Sequence, residues 1–539
     1  MAACLLWEQE VAGSNPAAPT TSGQLGAATE RDLAKNADNG PRLNTSRPLR
    51  TFLAGTPATA VAVGLLALGA VVAAILLARA SSAAYLLFVA ELFALVALAT
   101  WRWPRAMLVV VVLAPILDRF IIAPLISAQI GSVAQYLSEA LLAVIGLVLL
   151  VMAWRDGRLI PAVRHPATIG LMAFVVLGLI SALLNGVPPV TVAAGFFYTL
   201  DALAIFYLCR MVGFTHRQAV IALGAVGAAV VVMAVIGVGQ AVLAPNILGL
   251  DVVKGRSGEA ARIGSIVQNP NALGSMIALI LPLTLFGSIR LPTPRMRWAM
   301  AAAALVLAMA LLLSYSRGSW LGITFATVAI TIFLDRKVLL ASIGIAVLAF
   351  LLVNVMPRNL LVAPAPGTAV PRADFNIIDT TTARAGKVGT GRDLRTQLIL
   401  NAIPIFRDHP LLGVGPGRYG GAAADHFDSP VHRQYGTDKL LRFQQTVDNF
   451  WLHLLIEAGI LGAAAFAALI GVVVVGLLRR VRHVAAGSRY VMTAGILLAT
   501  CAGVIITGTT MGLEGNTVAF MFWFVVGIAS LYAAKPEPA

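Results

Sequence analysis

Two long apolar runs meet in residues 298–334, which read WAMAAAALVLAMALLLSYSRGSWLGITFATVAITIFL. Each run approaches the roughly 20 residues that an α-helix needs to cross the hydrocarbon core of a bilayer. Arg317 is the only charged residue in this stretch of sequence, and Gly318 beside it allows a tight turn. Because lipid offers no hydrogen bonds to an irregular backbone, the stretch predicts two membrane-spanning helices joined by a short turn.

The same pattern recurs along most of the chain. Of its 539 residues, 59% are hydrophobic and 12% are charged, whereas a soluble domain carries about 25% charged residues. We therefore expect an all-α polytopic membrane protein with about fourteen transmembrane helices and one large extracytoplasmic loop. The expected spans lie near residues 57–79, 82–100, 105–122, 136–154, 167–185, 192–210, 219–243, 270–288, 298–314, 319–334, 338–356, 450–478, 491–509 and 514–533.

Lysine and arginine concentrate in alternate short loops, which is the bias of cytoplasmic loops. If the N-terminus is cytoplasmic, the loops near residues 102, 158, 213, 293, 336 and 482 lie on the same side, and so does the C-terminus. This anchoring accounts for most of the net charge of +15. We therefore expect a lipid bilayer, and no nucleic acid, as the partner of the basic residues.

The chain divides into four expected regions. Residues 1–55 are polar and lack the compact apolar core of a signal peptide, so they predict a disordered cytoplasmic tail. Residues 56–356 hold transmembrane helices 1–11, residues 357–448 form the large extracytoplasmic loop, and residues 449–534 hold helices 12–14. The three cysteines lie outside that loop and show no metal-type spacing.

Several basic residues lie on the predicted outer side, against the orientation bias: Lys254, Arg256, Arg262, Arg317 and those of the large loop. Long loops translocate regardless of charge, which could explain the loop but explains Arg317 in its tight turn less well. Attraction of an anion is the simplest cause. The guanidinium of Arg317 offers a planar fork of donors that suits phosphate oxygens. The alternative is an interfacial anchor that snorkels, and the residues alone favour neither.

The large loop contains a segment with helical spacing of apolar residues. Leu394, Leu398, Ile399, Ala402 and Ile405 predict an amphipathic helix over residues 393–407, lying on the outer leaflet or over a cavity. Arg392 and Arg395 stand at its beginning. The following run, HPLLGVGPG at residues 409–417, predicts a turn that ends the helix. No strand precedes these glycines, which excludes a dinucleotide site.

The span that follows the large loop begins with a polar face. Asn449, His453 and Glu457 are spaced four apart, so they share one face of a helix, and Asp448 is a reasonable N-cap. Polar residues in a membrane helix usually face a cavity or a partner, although a structural stripe bonded to neighbouring helices is an equal alternative.

Two further polar features lie at or within predicted spans. Asn269 can cap the helix that begins with Pro270 and Asn271. Glu91 and Asp201 are carboxylates in the middle of spans. Asp201 could pair with an arginine or line a polar path, and both readings stay open.

Taken together, these motifs resemble the O-antigen ligase and O-antigen polymerase superfamily of bacterial envelope glycan transferases. The resemblance covers the motifs of residues 250–470 and the topology of the whole chain. The matching positions are Arg256, Asn269-Pro270-Asn271, Ser316-Arg317-Gly318, Gly391-Arg392, the run from Asp408 to Gly417, and Asn449, Leu452, Glu457, Gly459 and Gly462.

The resemblance implies a GT-C-like multi-pass enzyme of the bacterial inner membrane. Its partners would be an undecaprenyl-diphosphate-linked oligosaccharide and a glycan or lipid acceptor, with no metal or other cofactor. Arg317 and Arg392 would bind the diphosphate, with Arg256 or Arg262 as helpers. The further substrate-binding residues would be Asn271, Arg395, Asn449, His453 and Glu457. Transfer to the acceptor hydroxyl would invert the anomeric centre.

One position departs from the family pattern. Ligases of the family carry a histidine directly before the asparagine that matches Asn449, and this histidine is thought to activate the acceptor. The chain has Asp448 there, and a carboxylate can act as general base if desolvation raises its pKa. Asp448 is therefore the expected base, and His453, one turn deeper, is a weaker candidate.

A flippase or transporter for the same lipid-linked substrates is the alternative function. Transporters are usually built from repeated halves with substrate groups near the midplane. This sequence shows no evident internal repeat, and its charged candidates cluster at one face. The pattern therefore favours an enzyme that acts at the outer surface.

Overall fold

The computed structural model describes residues 82–117, 137–253, 261–356, 394–427, 429–436, 449–485, 487–510, 512–514 and 516–533. The chain divides into two compact units, residues 1–98 and 99–539. The described part of the first unit is the beginning of one helix, and all other described elements belong to the second unit.

The described residues form helices with short connections, which confirms the predicted all-α class. Their one β-type pairing is an isolated antiparallel bridge between Val253 and Arg262. In chain order the helices are α1 Ser82–Arg102, α2 Pro104–Leu117, α3 Leu137–Arg155, α4 Leu159–Val163, α5 Ala167–Leu184, α6 Pro189–Leu200, α7 Ala204–Val212, α8 His216–Val242, α9 Pro270–Arg290, α10 Pro294–Leu313, α11 Arg317–Leu334, α12 Arg336–Val355, α13 Leu394–Asp408, α14 Gly421–His426, α15 Pro430–Gln434, α16 Phe450–Val481, α17 Ser488–Thr507 and α18 Asn516–Ala533.

Within the described ranges, nine helices are long and apolar enough to cross a membrane, and the number rises to ten if one bent pair counts as a single span. The chain is thus a polytopic membrane protein. The predicted span at 57–79 lies outside the described residues, and α2 is described only as far as Leu117. The total of fourteen stays a prediction.

The central helices of the second unit are α9 and α17, whose apolar windows are mostly buried inside the protein. They pack against each other, α10 packs on α9, and α11 packs on α17. The long helix α16 packs against α5, and α7 packs against α18. In contrast, α12 is mostly exposed, as expected for a helix that faces lipid.

Contacts between loops divide them into two groups. At one end of the helices, Arg262 binds the carbonyl of Ser314, and the imidazole of His453 lies beside Glu514. At the other end, His216 lies within hydrogen-bond distance of Ser488.

Further contacts at that second end include Arg105 donating to the carbonyl of Gly213 and the ion pair between Arg290 and Asp335. The described contacts of the first group join loops predicted to be extracytoplasmic, and those of the second group join loops predicted to be cytoplasmic. The structure therefore separates the loops as the alternation of basic residues predicts. Which end faces the cytoplasm stays a prediction from that alternation.

The predicted span at 192–210 is not one straight helix. It consists of α6 and α7, which meet at an angle of 54° around Asp201. The Asp201 carboxylate accepts a hydrogen bond from the backbone N–H of Ala202. An aspartate side chain that bonds a neighbouring backbone N–H competes with the helical pattern, which accounts for the bend. Among the described residues no arginine contacts Asp201.

Candidate active site

The turn that carries Arg317 rests on a neighbouring loop. Helix α11 begins at Arg317, whose side chain is half-buried. The hydroxyls of Ser316 and Ser319 lie 2.9 Å apart and bind each other within the turn. A Cβ at Gly318 would lie 1.7 Å from Oγ1 of Thr509. The glycine therefore lets the turn pack directly against the loop that follows α17.

Arg262 connects this turn to the beginning of α9. Its Nε donates to the carbonyl of Ser314 at 2.8 Å, and its Nη2 donates to Oδ1 of Asn271 at 2.6 Å. Asn269 caps α9, as predicted, by accepting from the backbone N–H groups of Asn271 and Ala272. The structure thus brings Arg262 and Asn271 together beside the Arg317 turn. Their contact with a substrate stays a prediction.

The beginning of α16 is held by the same loop that supports Gly318. The N-cap is Asn449, whose Oδ1 accepts from the N–H of Leu452 at 3.0 Å, so the prediction of Asp448 as the cap was wrong. The N–H of Phe450 donates to the carbonyl of Thr510 at 3.2 Å. Since Thr510 follows the residue that contacts Gly318, the beginnings of α11 and α16 are fixed by neighbouring residues.

Helix α16 is interrupted two and a half turns from its beginning. Gly459 has φ 64° and ψ −173°, a region that is essentially confined to glycine. The break frees the carbonyls of Ile456 and Glu457, which accept from the N–H groups of Val414 (2.9 Å) and Gly415 (3.0 Å). The glycine-rich run of the large loop thus supplies the donors that the helix lacks, as a buried backbone requires.

The backbone N–H groups just after the break are bonded by the same glycine-rich run. The N–H groups of Ile460 and Leu461 donate to the carbonyls of Pro410 (3.0 Å) and Leu411 (3.2 Å). A Cβ on Gly459 would lie 2.3 Å from the carbonyl carbon of Leu411. The run at 409–417 therefore does more than end a helix, because it completes the hydrogen bonding of a broken span.

A buried ionisable cluster lies beneath this insertion. Nε2 of His453 lies 3.2 Å from Glu457 and 3.1 Å from Glu514, and His453 and Glu457 are each 4% exposed. The two carboxylate oxygens of Glu457 also accept from the N–H groups of Gly417 (2.8 Å) and Tyr419 (2.6 Å). His453 and Glu457 share one face, as their spacing predicted. Both are enclosed by protein, so their predicted contact with substrate stays a prediction.

Sequence reasoning missed two residues of this region, Thr509 and Glu514. Glu514 was taken as the first residue of the last span, whereas α18 begins at Asn516 and leaves Glu514 in the preceding loop. A carboxylate at the predicted outer boundary of a span was the available signal. Nothing in the sequence marked Thr509, because its role depends on a close approach to Gly318.

The helix predicted at 393–407 is present as α13. Three of its apolar side chains are buried in a small core of the loop, namely Leu398, Ala402 and Ile405, whereas Ile399 is exposed. The remaining predicted residue, Leu394, begins the helix. One face of the helix therefore packs on the loop and on Ile456 of α16, as the spacing of Leu398, Ala402 and Ile405 predicted. The exposed face also carries apolar side chains, including Leu400 and Ile403.

The end of α13 is tied to the short helix α15. The hydroxyl of Tyr435, just after α15, donates to Oδ2 of Asp408 at 2.6 Å. Burial and this hydrogen bond raise the pKa of Tyr435 to about 12. The phenol donates this hydrogen bond, and the contact fixes the end of α13 before the glycine-rich run.

Three predicted site residues, Arg256, Arg392 and Asp448, lie outside the described residues. Arg395 lies in the first turn of α13, and the structure describes its backbone only. The diphosphate-binding and base roles assigned to these four residues stay predictions.

Comparison with protein families identifies the part of the chain around this site. Residues 302–467 match the family model described as O-antigen ligase. This region belongs to the O-antigen ligase superfamily. The resemblance inferred from the motifs is thereby confirmed. None of the curated proteins compared with the chain matches it.

The O-antigen ligase domain contains most of the features that the structure brings together. It includes the Arg317 turn, the large loop, the cap at Asn449 and the break at Gly459. Arg262 and Asn271 lie before it in sequence, yet they bind its first turn at Ser314. The match supports membrane glycan processing of the O-antigen ligase or polymerase type.

Proposed function

We propose that the protein is an inverting glycosyltransferase of the bacterial inner membrane. It transfers a glycan from an undecaprenyl-diphosphate carrier to an acceptor hydroxyl on a glycan or lipid. The observation that carries the proposal is the arrangement within the O-antigen ligase domain. Two parts of that domain, the Arg317 turn and the beginning of α16, are held next to each other by Thr509 and Thr510, which follow the domain in sequence.

Arg317 binds the diphosphate in this proposal. Its guanidinium stands at the beginning of a helix, where the backbone dipole also favours an anion. The diphosphate is the leaving group, so fixed cationic donors stabilise the charge that develops on it in the transition state. Arg392 is the second diphosphate ligand, and Arg256 and Arg395 assist. In the proposed reaction these arginines neutralise the diphosphate in place of a metal ion. The lipid-linked glycan is the donor in place of a nucleotide sugar.

Asp448 is the general base. It directly precedes Asn449, and Asn449 caps α16 next to the loop that supports the Arg317 turn. The carboxylate takes the proton of the acceptor hydroxyl as that oxygen attacks the anomeric carbon in line with the departing diphosphate. His453 is enclosed between two carboxylates. We therefore assign it a positioning role in place of the base role.

Four predicted substrate-binding residues are positioning residues in this scheme. Arg262 and Asn271 hold the Arg317 turn, and Asn449 and Glu457 hold the beginning of α16 and the glycine-rich run. Their side chains bind protein groups that lie next to the proposed ligands of the diphosphate. Removal of one of these side chains should therefore slow the reaction by displacing the proposed ligands of the diphosphate.

A reconstituted assay tests the proposed function. The purified protein is placed in liposomes with an undecaprenyl-diphosphate oligosaccharide, with and without a separate acceptor. A ladder of longer glycans would identify a polymerase, and a single new conjugate on the acceptor would identify a ligase. Movement of intact substrate across the bilayer without any new glycosidic bond would instead identify a flippase, and it would contradict the proposal.

A further inference from the structure

Arg418 has an unusually well-fixed backbone. The two oxygens of the Glu457 carboxylate accept from the N–H groups on either side of it, at Gly417 (2.8 Å) and Tyr419 (2.6 Å). The hydroxyl of Ser429 donates to the carbonyl of Arg418 at 2.6 Å. A carboxylate that bridges two N–H groups is a strong, charge-assisted clamp. Three hydrogen bonds therefore hold the main chain of one arginine.

The guanidinium of Arg418 is held much less than its backbone. It is partly buried, and this burial lowers the pKa of Arg418 because removal from water disfavours the charged form. Among the residues whose side chains the structure describes, none accepts a hydrogen bond from it or forms an ion pair with it. Other partly buried arginines of the chain do have partners, for example Arg290 with Asp335.

The position of Arg418 links it to the proposed site. Just before it, Gly417 packs against the backbone of α6, where a Cβ would lie 2.6 Å from the carbonyl oxygen of Thr191. Three residues after it, a Cβ on Gly421 would lie 2.7 Å from Glu514, the partner of His453. These contacts place Arg418 at the end of the bundle that carries the Arg317 turn.

We propose that Arg418 is a further substrate-binding residue whose guanidinium binds an oxyanion, a phosphate or a carboxylate, of the transferred substrate. The inference rests on the proposed function. A partly desolvated cation needs acceptors, and a bound oxyanion supplies two in the geometry of the guanidinium fork. The clamp by Glu457 fixes the backbone beforehand, which reduces the ordering cost of binding. The oxyanion is either the donor diphosphate or an acidic group of the glycan.

Steady-state kinetics with two donors test this assignment. One donor carries an uncharged glycan, so the diphosphate is its only anion, and the other carries a glycan with a uronic acid. The variants are Arg418→Ala and Arg418→Lys, with Arg407→Ala as matched control, since Arg407 is an exposed arginine of the same loop. We expect Arg418→Ala to raise KM about 10- to 100-fold for at least one donor. Arg418→Lys should recover part of the loss, and Arg407→Ala should stay near wild type.

The two donors separate the two sources of the oxyanion. A rise in KM for both donors identifies the diphosphate, and a rise confined to the acidic donor identifies the sugar carboxylate. Unchanged KM and kcat for both donors in Arg418→Ala would overturn the inference while leaving the proposed function intact. Glu457→Gln provides a second variant, because it replaces one of the two acceptor oxygens by an NH2 group, which cannot accept from an N–H. It should raise the same KM if the clamp positions Arg418.

A measurement of the binding of undecaprenyl diphosphate without a glycan separates the proposed role of Arg418 from the proposed transfer function. If the wild-type protein shows no transfer with any donor, the proposed function fails, and the binding comparison still tests Arg418 against the diphosphate. Weaker binding by Arg418→Ala than by Arg407→Ala would then support the diphosphate as ligand. Equal binding by both variants would overturn Arg418 as a residue for this ligand.

Discussion

Gly318 packs against Thr509 so closely that a Cβ on the glycine would lie 1.7 Å from the threonine hydroxyl oxygen. The backbone carbonyl of the next residue, Thr510, accepts a hydrogen bond from the N–H of Phe450 at the beginning of α16. One short loop therefore supports both the proposed diphosphate ligand, Arg317, and the helix that follows the proposed base.

Substitution of Gly318 by alanine should displace the Arg317 turn. We expect a loss of about 1–3 kcal/mol of stability, the usual cost of overpacking, seen as a lower melting temperature in detergent. Transfer activity should fall as well. Gly344→Ala is the matched control, because a Cβ at Gly344 meets no atom within 4 Å. Addition of Thr509→Gly to Gly318→Ala should restore stability in part, and no recovery would contradict the proposed contact.

Gly459 should tolerate no side chain. Its backbone conformation costs other residues about 1–3 kcal/mol, and a Cβ there would also overlap the backbone of Leu411. Gly459→Ala should therefore lower the melting temperature and the yield of folded protein. Gly471→Ala in the same helix should change neither, since a Cβ there meets open space. Equal behaviour of the two variants would show that the glycine-rich run does not enter the break.

Arg317→Ala should lower kcat/KM for the lipid-linked donor by about 10²- to 10³-fold, the effect of removing one electrostatic donor to a transition state. Arg317→Lys should be intermediate, because lysine keeps the charge but loses the fork of donors. Arg295, exposed at the other end of the bundle, provides the control Arg295→Ala. Wild-type kinetics in Arg317→Ala with an unchanged melting temperature would remove its proposed role.

Asp448→Asn should remove a proton acceptor, and its pH profile tests this. A carboxylate base works only when deprotonated, so the wild-type rate should rise as the pH rises through the pKa of Asp448. The variant should be about 10²-fold slower or more, and its rate should lack that rise. A profile with the same acidic limb in both proteins would assign the base to another group.

The fold could be predicted well from the sequence where the signal is local. Apolar runs of membrane length and alternating basic loops gave the all-α class, and contacts such as that of His453 with Glu514 agree with the predicted grouping of loops. Irregularities inside spans could not be predicted. The bend at Asp201 goes with a bond between its carboxylate and the next backbone N–H, and the break at Gly459 depends on partners elsewhere in the chain. The hydropathy of the sequence changes at neither position.

The candidate site could be predicted in part. Polar residues at the predicted boundaries of spans pointed to Arg317 and Asn449, and the helical spacing of His453 and Glu457 placed them on one face. Their surroundings are set by long-range packing. The glycine-rich run encloses Glu457 with backbone N–H groups, and no local pattern reveals such a clamp.

Every step of the proposed reaction requires that the end of the bundle with Arg317 faces away from the cytoplasm. Single cysteines at two exposed positions, Gln434 in α15 and His483 after α16, test this in a chain whose native cysteines are replaced by alanine. In intact cells a membrane-impermeant maleimide should label Gln434→Cys and should leave His483→Cys unlabelled until the membrane is opened. Labelling of His483→Cys in intact cells, with Gln434→Cys protected, would contradict the orientation and the proposed enzyme together.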